Sequence, residues 1–263
     1  MDARVNGIRL AYGDRGRGRE TTLLLVHGFP LDRRMWAAQA GALVALARVV
    51  TPDLRSHGRS EIVPGPLTME QHADDLAALL DHLGIQRAVV GGLSMGGYIA
   101  FAFWRRYPDR VQGLILADTR AEPDSAAAQA GRDAAMARVQ RIGAAAYADE
   151  MLPRLLAPGS LANVKIAGAA RKMMAEQPVD GIVGALNGLR DRSDSRATLP
   201  TIAVSTLVIA GEADMITPPA DGQEMAALIP GARFAVVPKA GHLSPLENPV
   251  AFNAAVRAFL RSL

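Results

Sequence analysis

GGLSMGGYIAFAFW, residues 91–104, places one serine between pairs of glycines just where an apolar run changes its character. Upstream, Arg87 to Gly91 reads as a short strand buried on both faces; downstream, Met95 to Tyr107 reads as a helix that is apolar nearly all round. The few residues between them must reverse the chain. Glycines at 92, 96 and 97 remove side chains that would collide as helix and strand close on each other, and the turn lifts Ser94 to the top of the sheet. This is G-x-S-x-G in the strand–turn–helix setting that gives the pattern its chemical meaning, an exposed hydroxyl at a strained elbow. The pattern alone is common by chance, and a serine there can simply cap a helix.

The same alternation extends in both directions. Strands are predicted at Val5 to Tyr12, Thr22 to Val26, Arg48 to Pro52, Val111 to Ala117, Thr206 to Ala210 and Ala232 to Val237. Helices are predicted at Met35 to Ala47, Thr68 to Leu83, Pro218 to Ile229 and Pro249 to Leu263. Short apolar strands alternating with helices imply an α/β fold with a mostly parallel central sheet flanked by helices. One stretch breaks the rhythm. From Ala121 to Ala197 no strand is evident; four helical pieces run over Asp124 to Arg141, Gly143 to Leu152, Ser160 to Gln177 and Val179 to Arg192, punctuated by Pro153, Pro158 and Pro178. An insertion there lies beside the carboxyl ends of the strands, where parallel sheets bind ligands, so residues 121–197 read as a helical cap on a core made of 1–120 and 198–263.

Composition narrows the function classes. The chain has 263 residues, 49% of them hydrophobic, and no cysteine, which excludes disulfides, cysteine nucleophiles and cysteine-ligated zinc. The sequence pI of 9.6 suggests nucleic acid until it is set beside a net charge of only +3. The bases are almost all arginine, which stays protonated at any relevant pH, and they form no cluster. No nucleic-acid partner is therefore expected. The first residues carry charges throughout without an apolar core segment, and runs such as LLLV and ALVALA are too short to cross a bilayer, so the expected location is the cytoplasm with no membrane partner.

A serine hydroxyl needs a base and a group that orients the base. His242, in VPKAGHLSPLENP, follows the last strand in a short loop. The other histidines have weaker claims: His72 and His82 fall in a charge-rich helix and are expected to be exposed, His57 lies in the turn DLRSHGRS, and His27 adjoins a glycine turn. For the acid, Asp214 in VIAGEADMITPP stands just past a buried strand, and the order Ser94, Asp214, His242 suits a nucleophile on such an elbow. Asp118, in LILADTR, occupies the equivalent place one strand earlier and otherwise reads as a turn residue capping the entry to the cap; Glu212 is a further candidate. Two backbone donors suit a developing oxyanion: the N–H of Phe29, after the strand in LLLVHGFP, and the N–H of Met95 at the start of its helix. Met136, Met151, Met173 and Met174 are candidate linings for an acyl pocket, since methionines adapt to irregular apolar shapes, although core packing between cap and sheet explains them equally well. The cap carries ten basic and nine acidic residues, so its charge selects no particular substrate.

Together HGFP, DLRSHGRS, GLSMGG, GEADMITPP and AGHLSPLENP resemble the α/β-hydrolase fold superfamily over almost the whole chain, and GLSMGG with the overall length resembles its serine esterase and 3-oxoadipate enol-lactonase branch. That resemblance implies a four-helix cap after the sixth strand and a cofactor-free serine hydrolase. Ser94 would attack, His242 would shuttle the proton, Asp214 would orient it, and Phe29 and Met95 would serve the oxyanion. Small to medium esters or lactones, aryl esters included, are the expected substrates. Hydrolysis of a carbon–carbon bond, a perhydrolase side activity and a ligand receptor of the same fold with little turnover remain open alternatives, and the oligomeric state is not legible.

Overall fold

A computed structural model describes all residues from 1 to 263. In chain order its elements are β1 (Asp2–Val5), β2 (Ile8–Arg15), β3 (Thr22–Val26), α1 (Ala37–Ala42), β4 (Arg48–Pro52), α2 (Met69–His82), β5 (Ala88–Leu93), α3 (Met95–Arg106) and β6 (Val111–Ala117). Four helices follow: α4 (Ala126–Leu155), α5 (Pro158–Leu161), α6 (Val164–Ala175) and α7 (Val179–Arg190). The chain then returns to the sheet with β7 (Thr206–Gly211), α8 (Pro219–Leu228), β8 (Arg233–Val237), α9 (Ser244–Glu247) and α10 (Pro249–Leu260).

The eight strands form one sheet in the order β1-β2-β4-β3-β5-β6-β7-β8. β1 and β2 run antiparallel to their neighbours, and all other pairs are parallel. The central strands TLLLV, AVVGGL and TLVIAG are buried at every position, because helices cover both faces. One apolar layer joins α2, α3 and α7 to the sheet; the other gathers Trp36, Phe252 and Phe259 with the residues of β3, β7 and α6 beneath them. α2 begins with Thr68 and Gln71 in a reciprocal capping box. The chain winds from β3 out to β4 and then crosses back to β5 on the other side of β3. The ends of β3 and β5 therefore mark the switch point, where a parallel sheet opens a crevice for ligands.

Several expectations need correction. Val5 to Tyr12 is a hairpin rather than one strand: Asn6 and Gly7 both adopt positive φ (47° and 80°) and turn β1 into β2. The helix expected over Met35 to Ala47 shortens to a single 3-10 turn, Arg33–Trp36, and α1. The first two inserted pieces run as one element, α4, broken where Gly143 leaves helical geometry (φ 78°, ψ 166°), and Pro153 lies inside it instead of ending it. No helix is long and apolar enough to cross a membrane.

Candidate active site

Three strand ends build the site. After β5, Ser94 takes φ 53° and ψ −112°, a left-handed conformation that side chains rarely adopt, and α3 starts at the next residue. The strain is held in place by neighbours. Ser94 N–H donates to Ala117 O at 2.9 Å, and its carbonyl accepts from Thr119 Oγ1 at 2.9 Å and from Gly97 N–H at 2.8 Å. A Cβ on Gly92 would stand 2.0 Å from Gly96 O, and one on Gly96 would stand 2.3 Å from Val26 O, so only glycine lets helix, strand and elbow close this far.

The loop after β7 contributes Asp214 and the loop after β8 contributes His242; both are buried, at 3% exposure. His242 Nε2 lies 2.9 Å from Ser94 Oγ, and His242 Nδ1 lies 2.8 Å from Asp214 Oδ2. A carboxylate facing Nδ1 keeps the ring proton on that nitrogen, which leaves Nε2 free to accept from the serine hydroxyl. Ile216 N–H and Thr217 N–H donate to Asp214 Oδ1 at 2.8 and 3.0 Å, and the Thr217 hydroxyl donates to Oδ2 at 2.6 Å. Burial alone would raise the Asp214 pKa, but His242 and Thr217 outweigh it and hold the carboxyl below its usual range. The histidine loop is fastened in turn: His242 N–H donates to Leu155 O at 2.8 Å, and the Glu247 carboxylate accepts from Leu243 N–H (3.0 Å) and Ala157 N–H (2.8 Å). Thr217 and Glu247 were not singled out in the sequence, although a threonine ahead of Pro218 and Pro219 is a turn signal.

The loop after β3 abuts the elbow. A Cβ on Gly28 would lie 2.7 Å from Leu93 Cδ2 and 3.6 Å from Ser94 Cβ, which places Phe29 beside the serine. No protein group accepts from the Phe29 N–H, and the Met95 N–H, first in α3, has no acceptor within its helix. Phe29 also lines a cavity of about 300 Å³ with Tyr147, Met151, Leu155, Leu186 and Ile216. That cavity shares Tyr147, Met151 and Arg154 with a wider groove of about 740 Å³ alongside α4. A second cavity of about 420 Å³ has no apolar side chain in its lining; its ion pairs, Arg33–Asp53, Arg34–Asp32 and Arg34–Glu176, neutralise one another, and its lining includes none of Ser94, Asp214 and His242.

The remaining candidates separate clearly. Of the four methionines, only Met151 reaches the cavity beside Phe29; Met136 is half-buried against one apolar layer, and Met173 and Met174 are buried in the other, the layer that contains Trp36, where Met173 borders a separate cavity of about 340 Å³. Asp118 makes no contact with His242 and does not cap the inserted helices, a task that Ser125 performs for α4. Its carboxyl turns inward to Gly211 N–H and Ser244 Oγ. Glu212 is exposed and accepts from Lys239 N–H. His82 is exposed, but His72 is fully buried against expectation, because it occupies the face of α2 that packs on the core although its neighbours are charged. His27 and His57 are buried too: Leu54 N–H donates to His27 Nε2, and His57 Nδ1 meets Arg55 O.

Comparison with known proteins agrees with this architecture. The family described as alpha/beta hydrolase fold matches residues 21–249. A 3-oxoadipate enol-lactonase of Acinetobacter baylyi is 31% identical over 255 residues, covering 97% of this chain and 94% of its own. A thermophilic esterase from Thermogutta terrifontis superposes with a TM-score of 0.95 at 45% identity, over 100% of this chain and 98% of its own. An enol-lactonase from Burkholderia xenovorans superposes with a TM-score of 0.92 at 33% identity, over 99% of this chain and 100% of its own. The chain belongs to the α/β-hydrolase fold family and is a hydrolase.

Proposed function

We propose that the protein hydrolyses small to medium carboxylic esters or lactones through an acyl-enzyme on Ser94. The observation that carries this reading is the unbroken chain of contacts from Ser94 Oγ through His242 to Asp214. As Oγ attacks the carbonyl carbon, His242 Nε2 takes the hydroxyl proton, and Asp214 stabilises the imidazolium that results. The carbonyl oxygen becomes an oxyanion, which the N–H groups of Phe29 and Met95 receive; a single such donor is typically worth about a hundredfold to a thousandfold. Collapse expels the alcohol, which leaves with the proton from Nε2. Water then attacks the acyl carbon, giving its proton to Nε2, and the serine recovers its proton as the carboxylic acid is released. For a lactone the expelled hydroxyl stays on the product.

Residues 121–197 act as the cap, with Tyr147, Met151 and Leu186 providing an apolar wall for the acyl or alcohol part. An ester or lactone of modest size suits a cavity of about 300 Å³. Hydrolysis of p-nitrophenyl acetate and of a small lactone tests the reading. Ser94→Ala is expected to lower kcat at least about a thousandfold, as loss of a nucleophile does elsewhere. Equal rates in the variant and the parent would remove Ser94 from the chemistry.

A further inference from the structure

Two buried carboxyls stand at the ends of neighbouring parallel strands, and only one of them faces His242. The other, Asp118, is 1% exposed and sits at φ 45° immediately after β6. Its partners are few: Gly211 N–H donates to Oδ1 at 2.7 Å, and Ser244 Oγ lies against Oδ2. Gly211 ends β7, three residues before Asp214, and Ser244 opens α9, two residues after His242. The Asp118 side chain therefore ties the end of β6 to the end of β7, which leads to Asp214, and to the loop after β8 that carries His242.

The electrostatics of this position are unusual. No arginine, lysine or histidine pairs with Asp118, whereas every other buried aspartate except Asp214, which has His242, is held by an arginine: Asp32 by Arg34, Asp53 by Arg33 and Asp75 by Arg55. The ionisable groups around it are Asp214, Glu247 and, beyond Asp214, His242. Burial pushes the Asp118 carboxyl well above the usual range, the charge on Asp214 pushes it further, the donors Ser244 and Gly211 only partly offset this, and Glu247 adds to the rise. The two carboxyls are thus unequally supported: Asp214 has a histidine and three donors, whereas Asp118 has two donors and no cation.

We propose that Asp118 is a positioning residue that works as a neutral carboxylic acid, its proton bridging to Ser244 Oγ and fixing the His242 loop against the end of β7. The proposal rests on the role given above to Ser94 and His242. Its chemical consequence is a division of labour. A second carboxylate behind Asp214 would stabilise the imidazolium in the resting enzyme and make His242 a poorer acid toward the leaving alcohol. A neutral acid supplies the same mechanical tie without that charge.

The test compares Asp118→Leu, Asp118→Asn and Ser244→Ala in the full-length protein, with kcat and KM for p-nitrophenyl acetate measured from about pH 5 to 9 and active serine titrated with a fluorophosphonate. Asp118→Leu is expected to lower kcat by about 10- to 100-fold with KM little changed, the scale of a misplaced catalytic group. Asp118→Asn, which reproduces the shape and both hydrogen-bonding roles of the neutral acid, is expected to recover kcat to within about threefold and to leave the acid limb of kcat/KM where it was. Ser244→Ala is expected to cost about tenfold, and it carries the positioning test if Asp118→Leu does not fold. If Asp118 were ionised, Asp118→Asn would remove a nearby charge and move the acid limb down by about one pH unit, which would overturn the proposal. Rates at the parental level in both Asp118→Leu and Ser244→Ala would overturn it as well. Independently of turnover, the side-chain carboxyl carbon of Asp118, followed by ¹³C NMR, is expected to keep the chemical shift of a protonated carboxyl from about pH 5 to 8, and a carboxylate shift throughout that range would overturn the proposal. A parent enzyme that neither turns over nor reacts with the fluorophosphonate would defeat the Ser94 reading instead, and the NMR titration would still decide the state of Asp118.

Discussion

Glycine serves opposite ends in the two parts of this molecule. At the strand ends it is demanded by contact: a Cβ on Gly92, Gly96 or Gly211 would fall within 2.0 to 2.3 Å of a backbone oxygen. In the outer inserted helices there is open space, and a Cβ on Gly131 or Gly168 would meet nothing within 4 Å. The polar groups follow the same division. Around Ser94, Asp214 and His242 the partners are buried backbone amides and hydroxyls, while on the surface of the insertion an exposed pair, Arg171–Asp149, joins α6 to α4 and another, Arg138–Glu150, spans the break within α4. Exposed pairs of this kind contribute little, because solvent and salt screen them and holding two long side chains together costs entropy. The inference is that the strand ends are built for position and the outer helices for cover. α7 is the exception among the inserted helices, since a Cβ on Gly188 would lie 1.8 Å from Leu67 O, and it docks the insertion onto the core.

Substitutions can break this contrast from its rigid side. Asp214→Asn keeps the shape of the acid but turns a donor toward His242 Nδ1 and favours the wrong tautomer, so kcat is expected to fall by about a thousandfold to ten-thousandfold in a steady-state assay. A decrease smaller than tenfold would mean that the three donors on Asp214 serve stability and not orientation. Gly96→Ala forces backbone against backbone and is expected to cost about 3 kcal/mol or more in urea unfolding. Gly168→Ala, in the exposed middle of α6, is expected to stabilise by about 0.5 to 1 kcal/mol. Equal responses of the two glycines would erase the distinction.

The buried histidines under the core place a pH limit on the same rigid half. Desolvation lowers His27 and His57 from 6.5 to about 4, and the rings lie 5.3 Å apart. Both rings stay neutral in the folded protein, so between pH 6.5 and about 4 the unfolded chain binds more protons. Their contribution is fully present above pH 6.5 and is lost as the pH falls toward 4, on the order of a few kcal/mol in total. Burial also holds His72 well below its ordinary value, the Arg55 guanidinium adds to the effect, and neither of its ring nitrogens has a partner. The urea midpoint is expected to drop between pH 7 and 5, and His72→Leu is expected to reduce that drop. A midpoint independent of pH over this range would show that the rings are hydrated.

What was legible in the sequence follows from which forces act locally. The elbow could be read because glycine spacing and apolar runs encode a close approach directly, and the order of Ser94, Asp214 and His242 needed only strand ends. Asn6-Gly7 is easily passed over because apolar and polar residues alternate on both sides of it and the turn shows only as a change of phase, from Ala3 and Val5 inward to Ile8 and Leu10 inward. His72 was misread because exposure was inferred from neighbours in sequence, whereas a helix turns a residue away from the charges beside it. The carboxyl of Asp118 could not be placed from sequence at all: its partners, Gly211 and Ser244, are 93 and 126 residues away.

The smallest effect expected here separates two methionines that look alike in sequence. Met151 borders the cavity and is half-buried; Met173 is 4% exposed and packs in the core beneath Trp36. Met173→Ala is expected to cost about 2 kcal/mol or more of stability, since it removes buried contacts and enlarges the cavity of about 340 Å³ that Met173 already borders with Met35 and Leu246, and to leave the specificity profile intact. Met151→Ala is expected to change stability little and to alter kcat/KM by about three- to tenfold, with the ratio of a long to a short acyl ester rising, because a methionine removed from a wall makes room for a few carbon atoms. If the long-to-short ratio moved with Met173 and not with Met151, the wall of the pocket would lie on α6 instead of α4, and the outer helices would be doing more than covering the site.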